Sequence, residues 1–311
     1  MRRNQRNEIY DPQQPPQIPL MRQQPNPTQQ VRSTQSIEND GFYEERSPLQ
    51  RSSTRYEVTG CVYSAHTNSA HTVVVDNPDY GRMLFLDGEL QSSCSDEAIY
   101  HETLVHPIMR ALNGTDDKHV LVVGGAEGAT VREVLRWGPN KVRRVDWVDI
   151  DPELVNVCRT HLRYANENVY ENEMVRFHGC DIFEYLNRPD VGPYDVIILD
   201  LPDPDPENPY LYGPHFWNRI RRVLREDGGL VTHVGPVEPG VFTGLNFVVN
   251  GADMGNGTPY HTFIPSFQGE WGFWMSVNPA TMGRFPRDCN VIDDAYHNTI
   301  MHWDRHWRIM N

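Results

Sequence analysis

Two short β-prone runs in this chain end abruptly in carboxylates: Val145-Asp146-Trp147-Val148-Asp149-Ile150-Asp151 and Val196-Ile197-Ile198-Leu199-Asp200-Leu201-Pro202-Asp203. Upstream, a third run enters a glycine-rich turn, Val120-Leu121-Val122-Val123-Gly124-Gly125-Ala126-Glu127-Gly128. Parallel α/β sheets bind ligands at the carboxyl ends of their strands. These acids are therefore expected to converge on one crevice that attracts a cation. Glu127 stands inside the glycine turn, where it would repel the pyrophosphate that such turns often receive. A nucleoside bearing a cationic group, such as an adenosyl sulfonium, suits the turn better. Asp149 follows Gly128 by 21 residues, the spacing at which an acid on the second strand accepts hydrogen bonds from ribose hydroxyls. Asp181, after a third strand, is placed for an adenine amino group. Asp200 and Asp203 flank Leu201-Pro202 at the end of the most apolar run. Turn capping alone would account for such acids. A carboxylate pair can also hold an alkylammonium and take its proton as the nitrogen attacks. That transfer is needed because an ammonium with a pKa near about 10 is no nucleophile until deprotonated.

The elements that must position these residues alternate in type. From Lys118 onward the pattern predicts strands at 119–123, 144–148, 175–178 and 194–199, a fifth strand after Gly228-Gly229, and helices at 130–137 and 216–224. Asp151-Pro152-Glu153 carries an N-cap acid, a proline at the first helical position and a second acid, a strong helix start. Before this sheet, Thr72-Val73-Val74-Val75 and Met83-Leu84-Phe85-Leu86 are separated by turn residues and predict hairpins. Ser95-Asp96-Glu97 then opens a helix. The fold class is accordingly α/β: a doubly wound, methyltransferase-like Rossmann domain over 111–311, preceded by a small antiparallel β-domain over 41–110. Residues 1–40 hold nine Gln and six Pro and predict a disordered tail, because so few apolar side chains cannot offset ordering entropy. Residues 244–260 lose periodicity and are expected to be loop, with a strand at 273–277 and a short helix within 293–309.

The formal charge is −14. Residues 1–55 carry +2, which leaves −16 on the remainder. That balance argues against nucleic acid and anionic membranes as partners. The five cysteines include no CxxC pair, which predicts reduced thiols and a cytoplasmic setting. No stretch approaches the roughly 18 apolar residues of a membrane span, and Arg2 and Arg3 have no apolar segment behind them to make a secretory signal. His302 and His306, with His297 nearby, have metal-ligand spacing. Trp303 and Trp307 repeat at the same interval, so a packed helix without metal is the expectation.

Over roughly residues 41–280 the chain resembles the spermidine/spermine synthases, or aminopropyltransferases. The resemblance rests on Met83-Leu84-Phe85-Leu86-Asp87-Gly88-Glu89-Leu90-Gln91, Asp96-Glu97-Ala98-Ile99-Tyr100-His101-Glu102, the Gly-Gly-Ala-Glu-Gly turn, Asp149-Ile150-Asp151 and Asp200-Leu201-Pro202-Asp203-Pro204. Within that family it is most similar to thermospermine synthases, through Val231-Thr232-His233-Val234-Gly235-Pro236, Pro265-Ser266-Phe267 and Trp271-Gly272. The resemblance implies transfer of a 3-aminopropyl group from decarboxylated S-adenosylmethionine, a co-substrate rather than a resident cofactor, to a polyamine. It implies Asp200 as general base, with Asp203 and Tyr100 beside it. Glu127, Gly125, Asp149, Asp181, Ile182, His101 and Gln91 would bind the donor. Tyr100, His101, Asp203, Trp271 and His233 would line the acceptor channel. It also implies a homodimer or homotetramer.

The chain departs from the family pattern at several points. Ala126 replaces the third glycine of the turn, Ser69-Ala70-His71 stands where a donor-binding glutamine is expected, and His233 replaces a glutamine. The segment between Phe242 and Pro265 is short and shows no amphipathic helix. Three classes of function follow: an aminopropyltransferase using this or another acceptor, an S-adenosylmethionine-dependent amine methyltransferase, and a non-catalytic polyamine-binding relative. Against the methyltransferase, the donor's intact carboxylate would face Glu127, a like charge.

Overall fold

The computed structural model describes residues 41–47, 52–114, 116–238, 242–255, 257–279 and 283–303; the tail expected over 1–40 lies outside them. The described chain opens with β1 (Phe42–Ser47) and β2 (Ser52–Glu57), an antiparallel pair. A four-stranded antiparallel meander follows: β3 (Gly60–His66), β4 (His71–Asn77), β5 (Gly81–Leu86) and β6 (Glu89–Ser93). Then come α1 (Glu97–Ala111), β7 (Lys118–Gly124), α2 (Ala129–Leu135), β8 (Val142–Asp149), α3 (Pro152–His161), β9 (Val175–Gly179), α4 (Ile182–Leu186) and β10 (Tyr194–Asp200). The described chain finishes with α5 (Pro214–Val223), β11 (Leu224–Pro236), α6 (Thr243–Ala252), β12 (Thr258–Ile264), β13 (Gly269–Met275) and α7 (Asp294–Ile300). The small antiparallel sheet and the doubly wound sheet expected from the sequence are both present.

The large sheet has the strand order β12-β13-β11-β10-β7-β8-β9. Strands β11, β10, β7, β8 and β9 run parallel, and the β12–β13 hairpin closes one side antiparallel. Both faces are covered, as alternation along the central strands shows. Val120, Val122, Val196 and Ile198 enter one apolar cluster, and Leu121, Val123, Ile197 and Leu199 the other. This explains the near-continuous apolar runs of β7 and β10. The chain steps from β7 outward through β8 to β9, then returns to the other side of β7 for β10. The order therefore reverses between β7 and β10, and a crevice opens beyond their carboxyl ends. Gly124 and Asp200 are partners in register at that point.

The loop expected over 244–260 is instead α6 followed by β12. The glycines there read as breakers but serve close packing: a Cβ on Gly244 would lie 2.1 Å from the Val234 carbonyl oxygen, and one on Gly251 2.6 Å from Trp217 Nε1. Helix α6 buries Val248 and Ala252 against the sheet, so tertiary contact supplies what the weak periodicity lacked. In β12, Tyr260, Thr262 and Ile264 are buried in alternation, and Pro259 is tolerated because the strand lies at the sheet edge. Strand β13 begins at Gly269, earlier than the predicted 273. Helix α7 falls within the predicted 293–309 but ends at Ile300, so His302 and Trp303 follow the helix instead of lying on it, while His306 and Trp307 lie outside the described residues.

Candidate active site

The turn after β7 can exist only with glycine. Gly124 and Gly125 have φ of +80° and +67°, and a Cβ on Gly125 would stand 2.6 Å from Asp200 Oδ2. The Gly125 amide donates to the Asp200 carbonyl at 2.9 Å, which ties the turn to the end of β10. The Asp200 carboxylate is held at both oxygens. Tyr100 on α1 donates its hydroxyl to Oδ1 at 2.8 Å, and Thr130 in the first turn of α2 donates to Oδ2 at 2.6 Å. Burial, then the charge of Asp200, pushes the Tyr100 phenol well above its ordinary pKa, so Tyr100 remains a donor at any physiological pH.

Glu127 is the second carboxylate. Ser92 donates its hydroxyl to Oε1, and His101 Nε2 lies 3.5 Å from Oε2. The other ring nitrogen, Nδ1, is 2.8 Å from Glu97 Oε2. Burial acts to lower the His101 pKa, but hydrogen bonds to Glu127 and Glu97 outweigh it and hold the ring well above the usual imidazole range. His101 is thus an imidazolium between two carboxylates. Arg132 closes the far side, donating to Glu97 at 2.9 Å and Glu133 at 2.8 Å.

Asp149 ends β8 at 7% exposure, accepting at Oδ1 from the Asp151 amide at 2.8 Å. Burial, with smaller contributions from the charges of Asp151 and Asp200, pushes its carboxyl up to about 7 against that hydrogen bond. Asp151 N-caps α3 through the Leu154 amide. Its Oδ2 also accepts from Thr67 at 2.7 Å and from Ser69 at 2.6 Å. The Ser69-Ala70-His71 region is thereby fastened to the end of β8. Asp181 caps α4 through the Phe183 amide at 2.7 Å and accepts the Tyr210 hydroxyl at 2.8 Å, while Ile182 is buried. Both Asp181 oxygens are therefore engaged, and Asp181 makes no direct contact with Asp149 or Asp200 among the hydrogen bonds of the described residues.

On the other side of Tyr100 lies a third group. His233 on β11 is buried, 5.9 Å ring to ring from Tyr100, and stacked on Trp271 of β13 at 6.2 Å with 24° between planes. Phe267 packs on Trp271 at 4.8 Å. Asp203, in the loop after β10, has half its side chain exposed and places Oδ1 3.5 Å from His233 Nδ1. Gly235 lies under it, and a Cβ there would meet the carboxyl carbon at 3.2 Å. Gln91 is exposed, donates to the Glu89 carbonyl at 3.2 Å, and lines a small cavity with Ser92, Tyr100, His101 and Phe267. The site thus holds three sets of acids: Asp149 toward one end, Glu127 and Asp200 at the centre, and Asp203 at the other.

The family model for the spermine/spermidine synthase domain matches residues 97–284. The chain belongs to the spermine/spermidine synthase family. Polyamine aminopropyltransferase 2 of Bacillus cereus is 40% identical over 202 residues, covering 63% of this chain and 54% of that protein. The chain thus spans about half the length of its Bacillus relatives. A polyamine aminopropyltransferase of Synechococcus sp. is 36% identical over 231 residues, 72% of this chain and 73% of that one. A crystal structure of spermidine synthase in complex with the transition state analogue AdoDATO superposes with a TM-score of 0.75, at 20% identity, over 86% of this chain and 95% of that chain. Spermidine synthase from Thermotoga maritima gives 0.73 at 20% identity, over 86% and 94%. These two structures share the fold.

In this spermine/spermidine synthase relative, several contacts had no counterpart in the residue pattern alone. Thr130 on Asp200, Ser92 on Glu127, and the Glu97–Arg132 pair behind His101 join segments far apart in sequence and carry no motif. A helical spacing of four between Glu97 and His101 was the one available sign. Glu102, His106 and Cys289 also offer ligand atoms within 4.8 Å of one another. That cluster is already saturated, however. His106 Nδ1 accepts from Trp137 Nε1 at 3.0 Å, so Nε2 carries the proton and faces Glu133 at 3.0 Å, while Glu102 accepts the amides of Asn290, Val291 and Ile292. No imidazole lone pair is left there for a metal.

Proposed function

We propose that this protein transfers a 3-aminopropyl group from decarboxylated S-adenosylmethionine to a polyamine. An acceptor nitrogen attacks the aminopropyl carbon bonded to the sulfonium. The carbon–sulfur bond breaks, its electron pair stays on sulfur, and 5′-methylthioadenosine leaves. The nitrogen's proton passes to Asp200, which Thr130 and Tyr100 hold in a fixed orientation. What carries the proposal is the placement of Asp200 at the strand reversal, beside the glycine turn, with a separate carboxylate on each side of it. Two cations need two such sets, and an in-line displacement needs chiefly positioning.

Residue roles follow the three groups. Asp149 takes the ribose hydroxyls, with Asp181 and Ile182 at the adenine and Gly125 and Gln91 beside the donor. Glu127, braced by His101, holds the donor's aminopropyl ammonium. Tyr100, His101, Asp203, His233 and Trp271 line the acceptor side. The more specific proposal is conversion of spermidine to thermospermine, supported by the Asp-Leu-Pro-Asp-Pro, Val-Thr-His-Val-Gly-Pro and Pro-Ser-Phe segments. The protein is taken to act in the cytoplasm as a homodimer or homotetramer, which suits its unpaired described cysteines. No helix among the described residues is long and apolar enough to cross a membrane. With a charge of −14, nucleic acid is not proposed as a partner.

One assay tests this. The purified protein is incubated with decarboxylated or intact S-adenosylmethionine and with putrescine, spermidine or spermine. Methylthioadenosine from the decarboxylated donor, with thermospermine from spermidine, is expected. S-adenosylhomocysteine from the intact donor would make it a methyltransferase, and no product from either would make it a binding protein.

A further inference from the structure

His233 presents two unlike nitrogens to its surroundings. Nε2 is hydrogen-bonded to the Leu201 carbonyl, and since a carbonyl only accepts, Nε2 carries a proton. Nδ1 is buried, has no hydrogen-bond partner among the described residues, and points toward Asp203 Oδ1 at 3.5 Å. A bare lone pair that close to a carboxylate, in a ring only 4% exposed, is repulsive. One proton between the two groups removes the repulsion. The other titratable groups around them are acidic or neutral. Tyr100 and Tyr212 are phenols kept protonated by burial, Asp200 lies behind Tyr100, and Glu89 feels the charge of Asp203.

We propose that His233 and Asp203 share one proton in the empty site and release it to solvent when an ammonium group binds between them. The inference rests on the acceptor role given to this side of the site. An ammonium can donate one N–H to the Nδ1 lone pair and another to the Asp203 carboxylate, which satisfies both groups. Keeping the imidazolium would instead set two cations at hydrogen-bonding distance. The Leu201 contact decides which proton leaves, because Nε2–H already has its acceptor. The balance is one ammonium in and one proton out, with no change in the net charge of the pocket. Acceptor affinity should therefore fall as pH drops, because the bound ammonium must displace a proton. The amine itself, with a pKa near about 10, remains charged throughout.

The test is calorimetric. Spermidine is titrated into the full-length protein saturated with 5′-methylthioadenosine, at several pH values, in two buffers of different ionisation enthalpy. The expected result is release approaching one proton per spermidine at the acid end, fading as pH rises, with affinity weakening by up to ~10-fold per pH unit. His233→Gln keeps an N–H for Leu201 and a carbonyl for the ammonium but stores no proton. Its release should fall by the His233 share and its affinity should be nearly flat with pH. Any proton lost by the amine itself persists in this variant, so the two sources separate. Binding to the wild type without pH-dependent release, or equal release from His233→Gln, overturns the inference while leaving the acceptor site standing. The wild-type measurement decides alone where the variant does not fold. Absence of spermidine binding at every pH overturns the acceptor role and this inference together.

Discussion

Replacing Asp149 by Asn should stabilise the protein and weaken nucleoside binding at the same time. The carboxyl is 7% exposed, and burial first, with the charges of Asp151 and Asp200 behind it, moves its pKa from 3.8 to about 7. The folded state therefore holds a proton that the unfolded chain gives up earlier. Full stability is present below pH 3.8 and is lost as pH rises to about 7, after which the loss is constant. The gap corresponds to ~4 kcal/mol at most, and relaxation around a partly polar site lowers the expected figure to ~2–3 kcal/mol. Asn keeps an oxygen to accept the Asp151 amide at 2.8 Å but has no charge to bury. Urea unfolding at pH 4.5 and pH 8 should show the variant gaining ~1.5–2 kcal/mol over wild type between those values. Methylthioadenosine should bind the variant ~10- to 150-fold more weakly, the worth of hydrogen bonds to a charged acceptor. In the wild type that affinity should decline as pH falls below 7 and Asp149 becomes protonated. Parallel stability curves for the two proteins would refute the buried-charge argument, and unchanged nucleoside affinity would refute the ribose role.

Asp200→Asn should lower turnover by orders of magnitude while donor affinity stays within a few-fold, measured by single-turnover kinetics and methylthioadenosine binding; near-normal turnover would remove Asp200 as the base. Thr130→Val and Tyr100→Phe each delete one hydrogen bond to Asp200. Each should lower kcat ~10- to 100-fold, with Thr130→Ser restoring most of it, whereas unchanged kcat would show that the orientation of the carboxylate does not matter. Away from the site, Asp146 is buried and accepts from His119 at 2.7 Å, Arg144 at 2.8 Å and Tyr194 at 3.0 Å. Burial acts to raise its pKa, but hydrogen bonds from His119 and Arg144 hold it well below the carboxylate range. Its contribution is present above pH 3.8 and is lost as pH falls below that value. Asp146→Asn should cost ~3–5 kcal/mol at pH 7 by denaturant unfolding, with the deficit shrinking toward pH 3.

Much of the fold was legible because local rules and tertiary outcome agree in the central sheet. The apolar runs of β7 and β10 lie buried on both faces, and Asp151-Pro152 starts a helix where cap chemistry says it should. Local rules failed in α6 and β12, where Gly244 and Gly251 are demanded by the Val234 carbonyl and the Trp217 ring rather than by a turn. A breaker and a close-packing glycine look identical until the neighbour is known.

The same division runs through the site. Residue type and order by themselves determined that carboxylates stand at three strand ends and that a glycine turn carries an acid, because strand ends and turns are written in local residue choice. They also carried the family motifs. Only the tertiary structure decided what each acid faces. The reversal of strand order sets Asp200 opposite Gly124, and α1 and α2 bring Tyr100 and Thr130 onto its two oxygens. His233 meets Asp203 only because β11 lies beside β10. Hydrogen-bond partners and burial are properties of segments far apart in sequence, and it is they that set whether a carboxylate binds a hydroxyl, holds a cation or takes a proton.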